Sequence, residues 1–236
     1  MQKNRQEELL EFCGRMGVDM HNLELLNVAL THSSYANEAK TKPRPQYNER
    51  IEFLGDSVLS IIVSTYMYNN FPKLSEGKLT KLRAHIVCEG SLYKYAQALH
   101  IGDYLQLGRG EELCGGREKA SLLADAFEAV LGAVYLDCGM RVAREYLLRQ
   151  MRAEIDKICC YGISDDHKTH LQEYLQRDGD VDLAYEVLGT QGPEHDKIFE
   201  VEVLLDGKQI GTGKGRTKKD AEQMAAMDAL KKLHVK

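Results

Sequence analysis

The sequence lacks the signals that mark membrane and secreted proteins. It contains no run of 18 apolar residues, the minimum for a helix that spans a bilayer. Its first residues, MQKNRQEELLEF, are too polar for the apolar segment of a secretory signal peptide. We therefore expect a cytoplasmic protein that has no membrane partner.

The six cysteines also lack a recognisable spacing. They are scattered along the chain without a C-x-x-C pair, and only Cys159 and Cys160 are adjacent. This distribution indicates neither a disulfide framework nor a zinc site. Reduced thiols are the expected state, as is usual for cytoplasmic chains.

Positive charge is in short supply, since the chain has a formal net charge of −5 at pH 7. That balance argues weakly against a nucleic-acid partner. The segment GKQIGTGKGRTKK (Gly207–Lys219), however, holds five basic residues and no acidic one. Because a phosphate responds to the local field more than to the total charge, a nucleic-acid partner stays open.

The pattern of apolar residues divides the chain into two parts. Residues 1–156 form long helical segments separated by glycine and proline, which predicts an all-helical domain. Residues 157–167 lose this pattern and are predicted to be a linker. Residues 168–236 follow the order α-β-β-β-α, with a hairpin turn at Asp206-Gly207 and Thr217 as the N-cap of the last helix. The predicted fold class is an all-helical domain followed by a small α+β domain.

One predicted helix carries an unusual acidic strip. In NERIEFLGDSVL, Glu49, Glu52 and Asp56 have the spacing i, i+3, i+7, which places them on one helical face. Apolar residues cover the other faces, as is typical of a buried helix. A buried carboxylate is costly unless it is paired or bound to a metal.

A second acidic pair lies in SLLADAFEAVLGAVYLD, where Asp125 and Glu128 are at i and i+3. Small residues around them, Ala124 to Ala133, would let another helix approach closely. Two such helices would bring four or five carboxylates together, and a set of hard oxygen ligands suits Mg²⁺ or Mn²⁺. Spacing alone leaves an alternative open: Arg50, Arg83 and Lys119 could pair with these acids as structural salt bridges.

NERIEFLGDSVL closely resembles the signature of the ribonuclease III family, and LADAFEAVLGAVYLD resembles the second motif of its nuclease domain. LTHSSYANE and SEGKLTKLRAHIV resemble the flanking helices, in the expected order. The α-β-β-β-α part, with KTHLQEYLQ, GPEH and GTGKGRTKKDAEQMAA, is similar to a double-stranded-RNA-binding domain. The resemblance covers essentially the whole chain and is to the bacterial two-domain type.

The resemblance implies a set of site residues in the nuclease domain. Metal ligands fall on Glu52, Asp125 and Glu128, and Asp56 is the fourth acid of the catalytic cluster. Asp56 and Glu128 are expected to be coupled most directly to the reacting water. Glu49 and Glu76 match auxiliary acids that assist RNA positioning or metal capture. The implied cofactor is Mg²⁺, with Mn²⁺ as a possible substitute, and no nucleotide cofactor is expected.

The second domain is expected to contact the backbone and 2′-hydroxyls of A-form RNA rather than its base sequence. The implied contact residues are Thr169, Gln172, Glu173, Gln176, Pro193, His195, Lys214, Arg216, Lys218 and Lys219. Considered singly, these polar residues would be ordinary solvated positions. Their ordered combination within a domain of about 70 residues favours RNA binding.

The implied function is a Mg²⁺-dependent endoribonuclease that cuts double-stranded RNA as a homodimer and leaves 5′-phosphates and short 3′ overhangs. Its implied roles are the processing of ribosomal RNA precursors and of some messenger, transfer and small RNAs. Two alternatives remain: an RNA-binding protein with the same folds but no cleavage, and a helical interaction protein. The apolar surface of the signature helix is either part of the dimer interface or simply central in its own core.

Overall fold

The computed structural model describes residues 3–161, 167–178, 181–191 and 197–233. The chain divides into two compact units, Met1–Cys159 and Cys160–Lys236. Among the described residues, no helix combines the length and the apolar character needed to cross a membrane.

The first unit is helical, as the sequence predicted. Its helices are α1 (Lys3–Met16), α2 (Leu23–Ala29), α3 (Ser33–Glu38), α4 (Glu49–Asn70), α5 (Glu76–Ile86), α6 (Glu89–Ala98), α7 (Ile101–Tyr104), α8 (Arg109–Leu113) and α9 (Ala120–Tyr161). Local side chains fix two of the starts. Asn22 accepts a hydrogen bond from the Glu24 amide and His32 accepts one from the Ser34 amide, so each caps its helix.

Helix α9 is longer than the sequence predicted. It is interrupted at Gly139, whose φ of 80° and ψ of 172° are not helical, and then continues to Tyr161. Ile155, Ile158 and Cys159 are buried at i, i+3 and i+4, so the buried face of the helix continues beyond residue 156. Residues 157–161, predicted as the start of a linker, are therefore helical.

The core of the first unit surrounds α4 and α9. Phe127 of α9 is fully buried, with its ring centroid 6.0 Å from that of Tyr95 and 6.4 Å from that of Tyr146. One face of α4 is buried as well, but Phe53 and Ile61 of the same helix are 77% and 53% exposed. The apolar surface of α4 is therefore only partly covered within its own unit, so α4 is not simply central in its own core.

The second unit has the predicted element order. Helix α10 (His167–Leu175) precedes a three-stranded antiparallel sheet, and α11 (Lys218–Lys232) follows it. The strands β1 (Leu183–Gln191), β2 (Ile198–Leu205) and β3 (Lys208–Gly215) pair in the order β1-β2-β3. The predicted hairpin turn is confirmed: Asp206 and Gly207 have φ values of 48° and 74°, the positive values of a type I′ turn.

The glycines of β3 let α11 lie close to the sheet. Gly211, Gly213 and Gly215 alternate along the strand, and a Cβ atom on Gly213 would lie 2.2 Å from the Ala225 amide nitrogen. Ala221 and Ala225 are fully buried in the contact. The predicted N-cap is also confirmed, because the Thr217 side chain accepts a hydrogen bond from the Asp220 amide.

Candidate active site and nucleic-acid interface

Two glycines bring α4 and α9 into backbone contact. A Cβ atom on Gly55 would lie 1.9 Å from the Glu128 carbonyl oxygen, and one on Gly132 would lie 2.5 Å from the Ile51 carbonyl oxygen. Since no Cβ fits at either position, the helices cross at a distance that only glycine allows. The predicted close approach of a second helix to the alanine-rich segment is confirmed.

The acids of both motifs lie beside this crossing. Glu52, Asp125 and Glu128 are partly buried, whereas Glu49 and Asp56 are exposed. Glu52 projects from α4 three residues before Gly55, and Glu128 lies on α9 where Gly55 touches it. The crossing of α4 and α9 thus brings the acids of two separate sequence motifs into one cluster.

Burial and mutual repulsion both raise the pKa values of these acids. Burial, followed by the charges of Asp56, Glu52 and Asp125, raises the pKa of Glu128 to about 8. Burial raises the pKa of Glu52 as well, with further contributions from Asp125, Glu49 and Asp56. A site that concentrates negative charge at partial burial favours a bound cation.

The alternative of structural salt bridges fits less well. A cationic partner lowers the pKa of a carboxyl group, whereas the pKa values of Glu52, Asp125 and Glu128 are all raised. Two of the three candidate partners have other contacts: the Lys119 ammonium lies 3.3 Å from Glu111, and Arg83 donates to the Ser64 hydroxyl at 2.9 Å.

The acids are not packed as tightly as a closed metal cage. Among the described residues, the one set of three metal-ligating side chains whose ligand atoms all lie within 4.8 Å of one another is elsewhere in the unit. Glu76, the auxiliary acid of α5, accepts a hydrogen bond from Thr80 at 2.9 Å. It lines a separate cavity of about 800 Å³ with Tyr68 and Arg83.

Two residues near the site were missed by the sequence analysis. The Glu89 charge, from the first turn of α6, contributes to the raised pKa of Asp125, and His32 opposes that rise. His32 lies within the LTHSSYANE segment, which was a usable signal for it. Glu89 has no local signal, because only the packing of α6 brings it near α9.

In the second unit, α10 presents the predicted polar face. Gln172, Glu173 and Gln176 are exposed and Thr169 is partly buried. Thr169, Gln172 and Gln176 line an open cavity of about 530 Å³ together with Tyr185 of β1. Such a polar concavity matches the hydroxyl-rich minor groove of an RNA duplex.

The basic residues form a second polar surface at the start of α11. Lys218 and Lys219 are exposed there, and the helix N-terminus adds its own positive field. Lys214 is exposed on β3, where its ammonium lies 3.1 Å from Glu200 of β2, and Arg216 is exposed beside it. Pro193 and His195 lie outside the residues that the structure describes.

The chain has a helical unit with an acidic site, followed by an α-β-β-β-α unit with polar and basic surfaces. This combination defines a class of protein: a nuclease joined to a domain that binds double-stranded RNA. Family models match both parts, Ribonuclease-III-like over residues 22–155 and double-stranded RNA binding motif over residues 167–233. Ribonuclease 3 of Listeria monocytogenes is 48% identical over 98% of both chains. Ribonuclease 3 of Clostridium tetani is 44% identical over 98% of this chain and 97% of its own.

The chain belongs to the ribonuclease III family. A solved nuclease domain of this family, from Campylobacter jejuni, is 39% identical and covers 61% of this chain and 95% of its own, with a TM-score of 0.56. The protein is accordingly an endoribonuclease specific for double-stranded RNA, and its second domain makes duplex RNA its partner.

Proposed function

We propose that cleavage depends on Mg²⁺, held by Glu52, Asp125 and Glu128 at the crossing of α4 and α9, with Mn²⁺ as a possible substitute. The observation that carries this proposal is the set of partly buried carboxylates beside the crossing of α4 and α9, whose pKa values are raised by burial and by neighbouring negative charges. The donor set fits: it consists of hard oxygens, and Mg²⁺ usually keeps several waters, so carboxylates wider apart than a closed cage can share it. When bound, such an ion supplies a Lewis acid and lowers the pKa of a bound water.

The side chains of the site have separate roles in this proposal. Asp56 is exposed on α4, and its carboxylate orients the attacking water by accepting its hydrogen bonds. Glu128, at the backbone contact with Gly55, fixes the position of that water relative to α4. Glu49 and Glu76 act as auxiliary acids that guide RNA or capture metal.

Substitution of single acids tests these roles. Glu128→Gln or Asp56→Asn is expected to reduce cleavage in Mg²⁺ by about 10²-fold or more, since each keeps the shape of the side chain but replaces a carboxylate oxygen with an amide nitrogen, which can accept neither a cation nor a hydrogen bond. Binding of the duplex in Ca²⁺ should be unchanged. Glu7→Gln, at an exposed position of α1, is the matched control. Cleavage at a rate near that of the parent protein in either variant would remove that residue from the mechanism.

The second domain is proposed to bind the duplex through two surfaces. Thr169, Gln172, Glu173 and Gln176 meet 2′-hydroxyls of one minor groove, and Pro193 and His195 meet those of the next. Lys214, Arg216, Lys218 and Lys219 contact the phosphates between them. We propose that the catalytic domain extends beyond the predicted residue 156 to the end of α9, and that the RNA-binding domain comprises 168–236. Cytoplasmic RNA is the proposed substrate pool.

We also propose that the protein acts as a homodimer. A duplex has two strands, one acidic site cuts one strand, and a twofold axis is the simplest way to present two sites. Phe53 and Ile61 support the dimer, because they are large apolar side chains that are exposed on α4, the helix that also carries Glu52 and Asp56. A second copy of the chain would cover these side chains beside the site.

The first experiment combines a labelled RNA duplex of a few helical turns with the protein in Mg²⁺, in Ca²⁺ or in EDTA, and resolves both strands at nucleotide resolution. We expect paired cuts with 5′-phosphates and a short 3′ offset in Mg²⁺ alone. Binding without cleavage in Mg²⁺ and Mn²⁺ would instead favour a protein that binds duplexes without cutting them. The proposed substrates in the cell are ribosomal RNA precursors and some messenger, transfer and small RNAs.

A further inference from the structure

A second cluster of metal-ligating side chains lies where the α1–α2 loop meets the kink of α9. His21 comes from the loop, and Asp137 and Cys138 end the first straight part of α9, just before Gly139. One ring nitrogen of His21, one carboxylate oxygen of Asp137 and the Cys138 Sγ all lie within 4.8 Å of one another. The cluster contains a thiol, which the acidic site lacks.

Two of the three distances within the cluster are close to those of a tetrahedral site. Asp137 Oδ2 lies 3.5 Å from Cys138 Sγ and 3.8 Å from His21 Nδ1. In a tetrahedral zinc site, bonds of about 2.3 Å to sulfur and 2.0–2.1 Å to nitrogen or oxygen place neighbouring ligands about 3.3–3.5 Å apart. Of the three edges between the ligand atoms, the Asp137–Cys138 edge therefore already has the required length. The Asp137–His21 edge needs a shift of a few tenths of an ångström, and the His21–Cys138 edge lies within 4.8 Å.

The carboxylate is held in place by the backbone. The His21 and Asn22 amides donate to the two oxygens of Asp137, at 2.6 Å and 3.1 Å. Ligating carboxylates in metal sites are characteristically fixed by such hydrogen bonds. The Asp137 side chain is 7% exposed, whereas the His21 side chain is 82% exposed. The carboxylate is therefore buried, and the imidazole is open to solvent.

The position in the fold favours a cation for a further reason. The helical backbone is interrupted at Gly139, so the cluster lies at the C-terminal end of a helical segment, where the carbonyl dipoles concentrate negative charge. In this structure the Cys138 thiol donates towards Asp137 Oδ2 and the Asp19 carbonyl oxygen, the second at 3.6 Å. A cation on the sulfur would replace that proton.

We propose that His21, Asp137 and Cys138 bind a divalent cation of the zinc class, with solvent as the fourth ligand. Thiolate and imidazole select this class over Mg²⁺. The bound ion would tie the α1–α2 loop to α9 and so stabilise the nuclease unit. The proposal is independent of the proposed mechanism, because none of these residues belongs to the acidic cluster.

The test is a titration of the reduced full-length protein with Co²⁺, in excess Mg²⁺ to occupy the acidic site. Absorption from charge transfer between sulfur and cobalt reports a thiolate ligand, which the acidic site cannot provide. We expect one equivalent of this absorption, its displacement by Zn²⁺, and a rise of the thermal midpoint with Zn²⁺ but not with further Mg²⁺.

The variants Cys138→Ser and His21→Ala are each expected to weaken Co²⁺ binding more than about tenfold. Cys114→Ser and His100→Ala are matched controls. Cys114 is an exposed thiol elsewhere, and His100 lies 3.6 Å from Asp103 in a pair that has no thiol. The absence of the sulfur-to-cobalt absorption, or an affinity unchanged in Cys138→Ser or in His21→Ala, would overturn the assignment.

Discussion

The glycine crossing of α4 and α9 makes the acidic site sensitive to the addition of one methyl group. In Gly55→Ala, the new Cβ would lie 1.9 Å from the Glu128 carbonyl oxygen, whereas real Cβ contacts are essentially never shorter than 3.0 Å. The two backbones must therefore separate by about 1 Å. The neighbour is backbone rather than a flexible side chain, so it cannot turn away.

Two consequences of this separation can be given rough magnitudes. Overpacking of a well-packed contact costs about 1–3 kcal/mol, and we expect the upper end because backbone meets backbone. The better helix propensity of alanine returns about 1 kcal/mol at most. A displacement of about 1 Å between Glu52 and Glu128 is expected to reduce cleavage by about 10²-fold.

The assay combines urea unfolding, followed by circular dichroism, with cleavage of a labelled duplex. Gly132→Ala provides a milder step, since its Cβ would lie 2.5 Å from the Ile51 carbonyl oxygen, and it keeps the test informative if Gly55→Ala does not fold. Gly14→Ala is the matched control: this glycine is exposed on α1, with no atom within 4 Å of an added Cβ. It should be neutral or stabilising by up to about 1 kcal/mol.

The expected order of stability is Gly14→Ala at the top, then Gly132→Ala, then Gly55→Ala. Cleavage should fall in the same order. If Gly55→Ala unfolded and cleaved like the parent protein, the backbone contact would not be what positions the acids, and the reasoning would be refuted.

Three further predictions concern other parts of the chain. Lys218→Ala with Lys219→Ala should weaken duplex binding and reduce the magnitude of the negative slope of log K against log salt by about 2, as measured by filter binding. An unchanged slope would remove both lysines from the interface. Asp228 accepts hydrogen bonds from Lys232 and from the Thr212 amide, which lower its pKa, so Asp228→Asn should cost about 1 kcal/mol of stability at pH 7. That difference should shrink as the pH falls below about 4, through the lowered pKa of the folded state, and a pH-independent difference in urea titrations would contradict it. Phe53→Ser should shift the mass in sedimentation equilibrium from dimer towards monomer, and a monomeric parent protein at micromolar concentration would argue against the dimer.

Local rules account for the parts of the fold that the sequence predicted well. The Asp206-Gly207 turn, the Thr217 cap and the helical face shared by Glu49, Glu52 and Asp56 each depend on residues a few positions apart. The end of α9 at Tyr161 was missed because its continuation depends on burying Ile155 and Ile158, and burial is a property of the packed unit.

The site itself shows the same division. The acids, their spacing and the small residues around them could be predicted from the sequence alone, because they depend only on residue type and helical periodicity. Tertiary structure alone decided that Gly55 meets Glu128, that Glu89 lies near Asp125, and that His21 reaches Asp137 across 116 positions. Contacts so distant in sequence follow from how whole helices pack, and no local pattern encodes that packing.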